Sequence, residues 1–127
     1  MTNPDLLPKL RAICLALPDV TETVKWGNPT FVAGKKIFAV LDKYGGRPCI
    51  AFRAAKTQRA LLLRDVRFFA APYDRERSWV CMHANIRLNW REIGVLTRAS
   101  HRLAVAAGGD PGRRRKVAAP SRRKGRA

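Results

Sequence analysis

The sequence predicts an α+β fold: an antiparallel β-sheet with N- and C-terminal helices packed on one face, plus a disordered basic C-terminal tail. Three observations lead there. Apolar residues recur at helical spacing near both ends of the body: Leu6/Leu7, Leu10, Ile13/Cys14 and Leu17 first, then Trp90, Ile93, Leu96 and Leu103. Between them lie short β-branched and aromatic runs separated by Gly-containing turns, the pattern of antiparallel hairpins. From Gly108 to Ala127 the chain has eight Lys/Arg, one Asp and no aromatic, too little apolar area to offset its chain entropy. The expected organisation is a folded domain over 1–107 and a tail over 108–127.

Element by element, Asn3 or Asp5 is placed to cap the first helix. Pro4 and Pro8 fall within or beside its first turn, where a missing amide donor costs least, and Pro18 stops it. TETVKW (21–26) then runs to a turn at Gly27, Asn28 and Pro29, TFVA (30–33) to a turn at Gly34, KIFAVLDK (36–43) to YGGR, and PCIAFRA (48–54) closes the series. Trp26 and Phe31 are expected to anchor the first hairpin in the core, leaving Lys25, Lys35 and Lys36 outside as one candidate rim. KTQRALLLR (56–64) is a short helix, FFAAPYDRER (68–77) an irregular loop and SWVCMHA (78–84) the last strand. Asn89 with Glu92 three residues on forms a capping box for the final helix, whose Arg91, Arg98 and Arg102 fall away from its apolar face.

Several function classes are set aside by composition. No apolar run approaches the ~20 residues of a membrane span, and the first ten residues lack the charged-then-apolar order of a secretory leader, which points to the cytoplasm. Cys14, Cys49 and Cys81 are odd in number, far apart and set in apolar segments, so core packing is expected of them. With His83 and His101 isolated from other metal-ligating types, no metal and no cofactor is expected. There is no phosphate loop, no G-x-S-x-G elbow and no H-E-x-x-H. A catalytic role is not expected; its best candidate would be His83 with an acid.

The charge is the strongest signal. Twenty-six Lys/Arg against nine Asp/Glu leave +17, of which the tail holds +7, so the body is basic in its own right. Such a field favours polyanions, nucleic acid first. Candidate phosphate contacts are Lys25, Lys35, Lys36, Arg53, Arg75, Arg77, Arg91, Arg98 and Arg102 in the body, with Lys43, Arg47 and Arg87 beside them. The tail adds Arg113, Arg114, Arg115, Lys116, Arg122, Arg123 and Lys124. Interleaved aromatics (Trp26, Tyr44, Tyr73, Trp79) suit base stacking, although Trp26 and Trp79 on short strands also read as core. The partner expected is DNA, bound with weak or no sequence preference and high salt sensitivity, with no membrane partner. The alternative is a small-molecule or protein-interaction domain with a pocket between sheet and helices near Trp26, Asn28, Thr30, Tyr73 and Trp79.

The stretches LRAICLALPDVTETVKWGNPTF, GKKIFAVLD, PYDRERSWV and NWREIGVLTRASHRLA, in that order, resemble the MmcQ/YjbR family of small bacterial proteins. The most specific pieces are W-G-x-P-T-F at 26–31, G-K-K-I-F-A at 34–39, and P-Y followed by W-V across 72–80; the likeness spans about residues 5–105. It implies a compact domain similar to the frataxin (CyaY-like) arrangement and DNA binding through a double-wing likeness, and it assigns no catalytic residue. The acidic ridge that serves iron in frataxin-like proteins has no counterpart here. Asp5 is followed by Lys9 and Arg11, then only by Asp19 and Glu22, and hard cations need clustered oxygens.

Overall fold

The computed structural model describes residues 4–72 and 74–108. In chain order the elements are α1 (Leu6–Leu15), β1 (Val20–Lys25), β2 (Asn28–Ala33), β3 (Lys36–Tyr44), β4 (Arg47–Arg53), α2 (Lys56–Leu62), β5 (Phe68–Ala70), β6 (Trp79–His83) and α3 (Trp90–Gly108). The strands form one six-stranded antiparallel sheet in the order β1-β2-β3-β4-β6-β5. α1 and α3 lie on one face, as expected. Leu6, Leu10 and Cys14 from α1 and Ile93, Leu96 and Ala104 from α3 share a core with Phe31, Phe38, Ile50, Phe52, Val80 and Met82 from the sheet.

β5 corrects the sequence reading, which assigned its residues to an irregular loop. Three residues are too few to display a period, and their extended state comes from pairing with β6: Phe68 opposite Met82, Phe69 opposite Cys81, Ala70 opposite Val80.

Between Phe31 and Val32 the register against β3 shifts, so Phe38 is an extra residue on β3 with no partner opposite. This bulge turns both Phe38 and Ala39 into the core. The Phe38 carbonyl accepts a hydrogen bond from Ser100 Oγ at 2.6 Å, and the same Oγ accepts one from the Arg53 backbone N–H at 2.8 Å. Next to it His101 meets Phe38 edge to face, and its Nε2 lies 2.9 Å from the Pro18 carbonyl oxygen. Ser100 and His101 therefore join α3 to the sheet and to the end of the α1 turn.

The capping box at α3 is half formed. Asn89 Oδ1 accepts the backbone N–H groups of Arg91 and Glu92, both at 3.1 Å. The Glu92 carboxylate turns instead to Arg67, which also holds Asp65, so one guanidinium ties the turn after α2 to α3. At α1, Asp5 occupies the cap position without a side-chain cap bond.

The helix-free sheet face has a second, smaller cluster of Cys49, Ala51 and Cys81, flanked by Val40, Phe69, Ala71 and Trp79. All three cysteines are buried, in agreement with the sequence reading. Burial, with Glu22 adding to it, pushes the Cys14 thiol up to about 12. Cys49 is raised by its hydrogen bond with Cys81 and then by burial. Both therefore stay protonated as packing groups.

Candidate nucleic-acid interface

The β1–β2 and β3–β4 connections are two-residue turns closed by the pairs Lys25–Asn28 and Tyr44–Arg47. Trp26 and Gly27 have φ of 52° and 80°, and Gly45 and Gly46 have 59° and 78°, the type I′ geometry that matches strand twist. Alternate connections of a meander fall at the same end of the sheet, so the two tips stand side by side. Here the first hairpin departs from expectation. The turn begins one residue earlier than Gly27-Asn28-Pro29, which moves Trp26 off the strand and onto the tip, 91% exposed. Trp26 is thus not a core anchor. Phe31, fully buried, is.

The tips are joined through Asp42. Its Oδ1 accepts from Asn28 Nδ2 at 2.9 Å and from the Lys43 backbone N–H at 2.7 Å, and its Oδ2 accepts from the Tyr44 hydroxyl at 3.0 Å. The Tyr44 hydroxyl is accordingly raised, by burial and then by its bond to Asp42. The Asn28 carbonyl in turn accepts from Thr30 Oγ1 at 3.0 Å.

Beside the tips, on the helix side, lies a cleft of about 470 Å³. Leu6, Leu7, Pro29, Leu41 and Pro48 form its apolar part; Asn28, Asp42, Lys43, Arg47 and Asn85, with Gly27 and Gly46, complete it. Lys25, Lys43 and Arg47 are exposed, and none of the ion pairs among the described residues involves them. Residues 4–108 hold eighteen Lys/Arg against eight Asp/Glu. The acids are largely engaged within the fold: Glu22 with Arg11, Asp65 and Glu92 with Arg67, Asp42 at the tips, and Asp74 with the Trp79 backbone N–H. The outward field of the body is therefore set by its cations.

The remaining sequence candidates are dispersed. Lys25 pairs with Asn28 at one end of β2 and Lys36 with Ala33 at the other, about 17 Å away at the usual rise per residue. Lys25, Lys35 and Lys36 hence form no single rim; Lys36 packs its stem by Gly108 at the end of α3. Arg53 is a strut. Its Nε donates to the Ile37 carbonyl at 2.7 Å and its guanidinium lies 5.0 Å from the Trp79 ring, with Glu76 at 4.0 Å. Arg75 and Arg77 are exposed on the β5–β6 connection. Arg91, Arg98 and Arg102 form an exposed row on α3, about 16 Å long at helical rise, leading away from the tips. Of the expected pocket, Asn28 and buried Thr30 are joined by a hydrogen bond next to the Trp26 turn, whereas Trp79, opposite Arg53, sits at the far end of the sheet, so the described residues of that pocket are not all brought together. Tyr73 and the tail cations Arg113, Arg114, Arg115, Lys116, Arg122, Arg123 and Lys124 lie outside the described residues. His83 packs its ring 4.7 Å from that of Phe69, and no ion pair among the described residues includes it. Asn85 was not anticipated; it follows β6 in a segment without periodicity, and only the proximity of Pro48 to Ala84 brings it to the cleft.

Fold and surface together define a small α+β domain with paired hairpins on a helix-backed sheet. The family model described as YjbR matches residues 15–103, and the chain belongs to that family. No curated protein matches. Among solved structures, a Deinococcus radiodurans protein with a DUF419 domain is similar at 18% identity and TM-score 0.74, covering 95% of this chain and 94% of its own. A Pseudomonas syringae structural-genomics target is similar at 15% identity and TM-score 0.62, covering 82% of this chain and 99% of its own. At these identities the likeness is one of fold. No helix among the described residues is long and apolar enough to cross a membrane.

Proposed function

We propose that the chain is a cytoplasmic DNA-binding protein that works without catalysis, holding its partner mainly by phosphate contacts at the hairpin tips. The observation behind this reading is Trp26, 91% exposed at φ 52°, with Lys25 before it in the chain and Lys43 and Arg47 at the adjoining hairpin tip. A left-handed backbone at a β-strand-sized aromatic costs about 1–2 kcal/mol, and the indole recovers none of that by burial. A displayed aromatic beside unpaired cations is the combination that grips phosphate and stacks on bases. The helix-free sheet face offers no comparable track: between its ends it presents Thr30, Val40, Asp42, Cys49, Ala51 and Cys81.

The tail supplies further attachment. If about six of its eight cations neutralise duplex phosphates, log K falls with log salt at a slope of about −5 from the tail alone, roughly a thousandfold between 50 and 200 mM. The test is a salt titration of duplex binding by the full chain and by residues 1–108, which retain all the core residues among the described ones. The reading expects 1–108 to bind at ~50 mM salt with a slope shallower by several units. No binding by 1–108 would reduce the activity to the tail. The cleft favours a second reading, a small-molecule domain; a thermal-shift screen with a metabolite stabilising the protein and DNA inert would favour it.

A further inference from the structure

We infer that the cleft beside the hairpin tips receives one unstacked nucleobase, so that the preferred partner is single-stranded or locally unpaired DNA rather than intact duplex; this rests on the nucleic-acid reading above. Three features of the cleft converge on that ligand. Its walls, Leu6 and Leu7 from α1 against Pro29, Leu41 and Pro48 from the sheet, suit a flat apolar body, and about 470 Å³ lies within the usual range for small-molecule sites. The Asn85 side chain makes no hydrogen bond among the described residues, leaving an amide donor and acceptor to meet a base edge. Lys43 and Arg47 in the lining can take the flanking phosphates, and exposed Trp26, one residue before the lining Gly27, is available to the neighbouring base.

The turn glycines keep the entrance clear. A Cβ on Gly27 or Gly46 would meet no atom within 4 Å, so the backbone of both tips is approachable from the cleft side. By contrast Asn28 is committed to Asp42, so base contacts fall to Asn85. A base inside a duplex cannot reach such a site without leaving the stack, at a cost of a few kcal/mol. The cleft thereby discriminates between strand states instead of sequences.

The test compares, for the full chain at fixed salt, an oligothymidine strand, a strand of the same length and charge built of abasic residues, and an intact duplex. The expected result is at least tenfold tighter binding to oligothymidine than to the abasic strand, the order of one good stacking contact. Asn85→Trp, which fills the cleft from an exposed loop, should erase that ratio. Equal affinity for thymidine and abasic strands overturns the inference but leaves phosphate binding standing; binding to none of the three overturns the nucleic-acid reading itself. The abasic comparison uses the native chain and is decisive even if Asn85→Trp misfolds. Displacement of the strand by thymidine monophosphate at equal molar affinity would also overturn it, marking a mononucleotide site.

Discussion

Asn28 donates to Asp42 across the seam between the two hairpins, Nδ2 to Oδ1 at 2.9 Å, and this bond fixes one tip relative to the other. Asp42 also collects the Lys43 backbone N–H and the Tyr44 hydroxyl. A carboxylate with three donors is a rigid node, and without it the donors are left to compete for water. Asp42→Ala should destabilise the fold by about 1–3 kcal/mol, with Asn28→Ala costing about 1 kcal/mol less because fewer donors lose their partner. Urea unfolding of the two variants checks the order, and a milder Asp42→Ala would show that the node is not structural.

Trp26 makes the opposite prediction for stability and binding. Replacing it by Gly recreates the Gly-Gly turn that the second hairpin already uses at Gly45 and Gly46. Relief of the left-handed backbone should leave stability equal or raised by up to about 1 kcal/mol. Affinity for oligothymidine should fall about tenfold. Loss of stability in Trp26→Gly would mean that the indole packs on the molecule after all.

Arginines that look alike in sequence should behave differently. Arg53 is tied to Ile37, Trp79 and Glu76, so Arg53→Ala removes a part-buried hydrogen bond and the cover of Trp79, costing about 2 kcal/mol. The triple variant Arg91→Ala, Arg98→Ala, Arg102→Ala alters exposed positions on α3 and should stay within about 0.5 kcal/mol. Thermal melts of both proteins settle the contrast.

Acid should weaken the β1 edge in a way that one substitution exposes. Two hydrogen bonds from Arg11, at 2.7 and 2.9 Å, hold the Glu22 carboxyl below its usual range against an opposing push from burial. Asp65 is likewise lowered by Arg67. Because the folded pKa lies below the unfolded one, the stability this gives is complete above the ordinary carboxylate pKa of about 4 and is lost as pH falls through the folded value. Glu22→Gln should therefore be less stable than the parent at pH 7, with the gap closing towards pH 3. A gap independent of pH would place the effect in packing instead of charge.

How much of this could be read from the residues depends on the scale of the signal. The two long helices, four of the first strands and the buried Phe31 follow from periods of 3.6 and 2, which persist over many residues. Three-residue β5 has no such length, and its pairing with β6 is decided by tertiary contact. The site depends on single-residue choices. Whether the first turn is Trp26-Gly27 or Gly27-Asn28-Pro29 changes no composition, yet it moves one indole from the core to the tip. The parallel with Gly45-Gly46 was the available clue. Arg53 and Arg98 are equally basic in sequence, and only the fold shows that the first is spent on Ile37 and Trp79. Asn85 reaches the cleft through the β4–β6 pairing, a non-adjacent strand contact that local pattern does not specify.

The central claim, that the hairpin tips meet phosphate, is tested most directly by the salt dependence of DNA binding in the full-length triple variant Lys25→Ala, Lys43→Ala, Arg47→Ala. Each lost phosphate contact lowers the slope of log K against log salt by about 0.9, so the account predicts a slope shallower by about 3 than the parent. The α3 triple variant should change it by less than about 1. A tip variant with the parent's slope and affinity, or an α3 variant that loses more than the tip variant, would contradict the account.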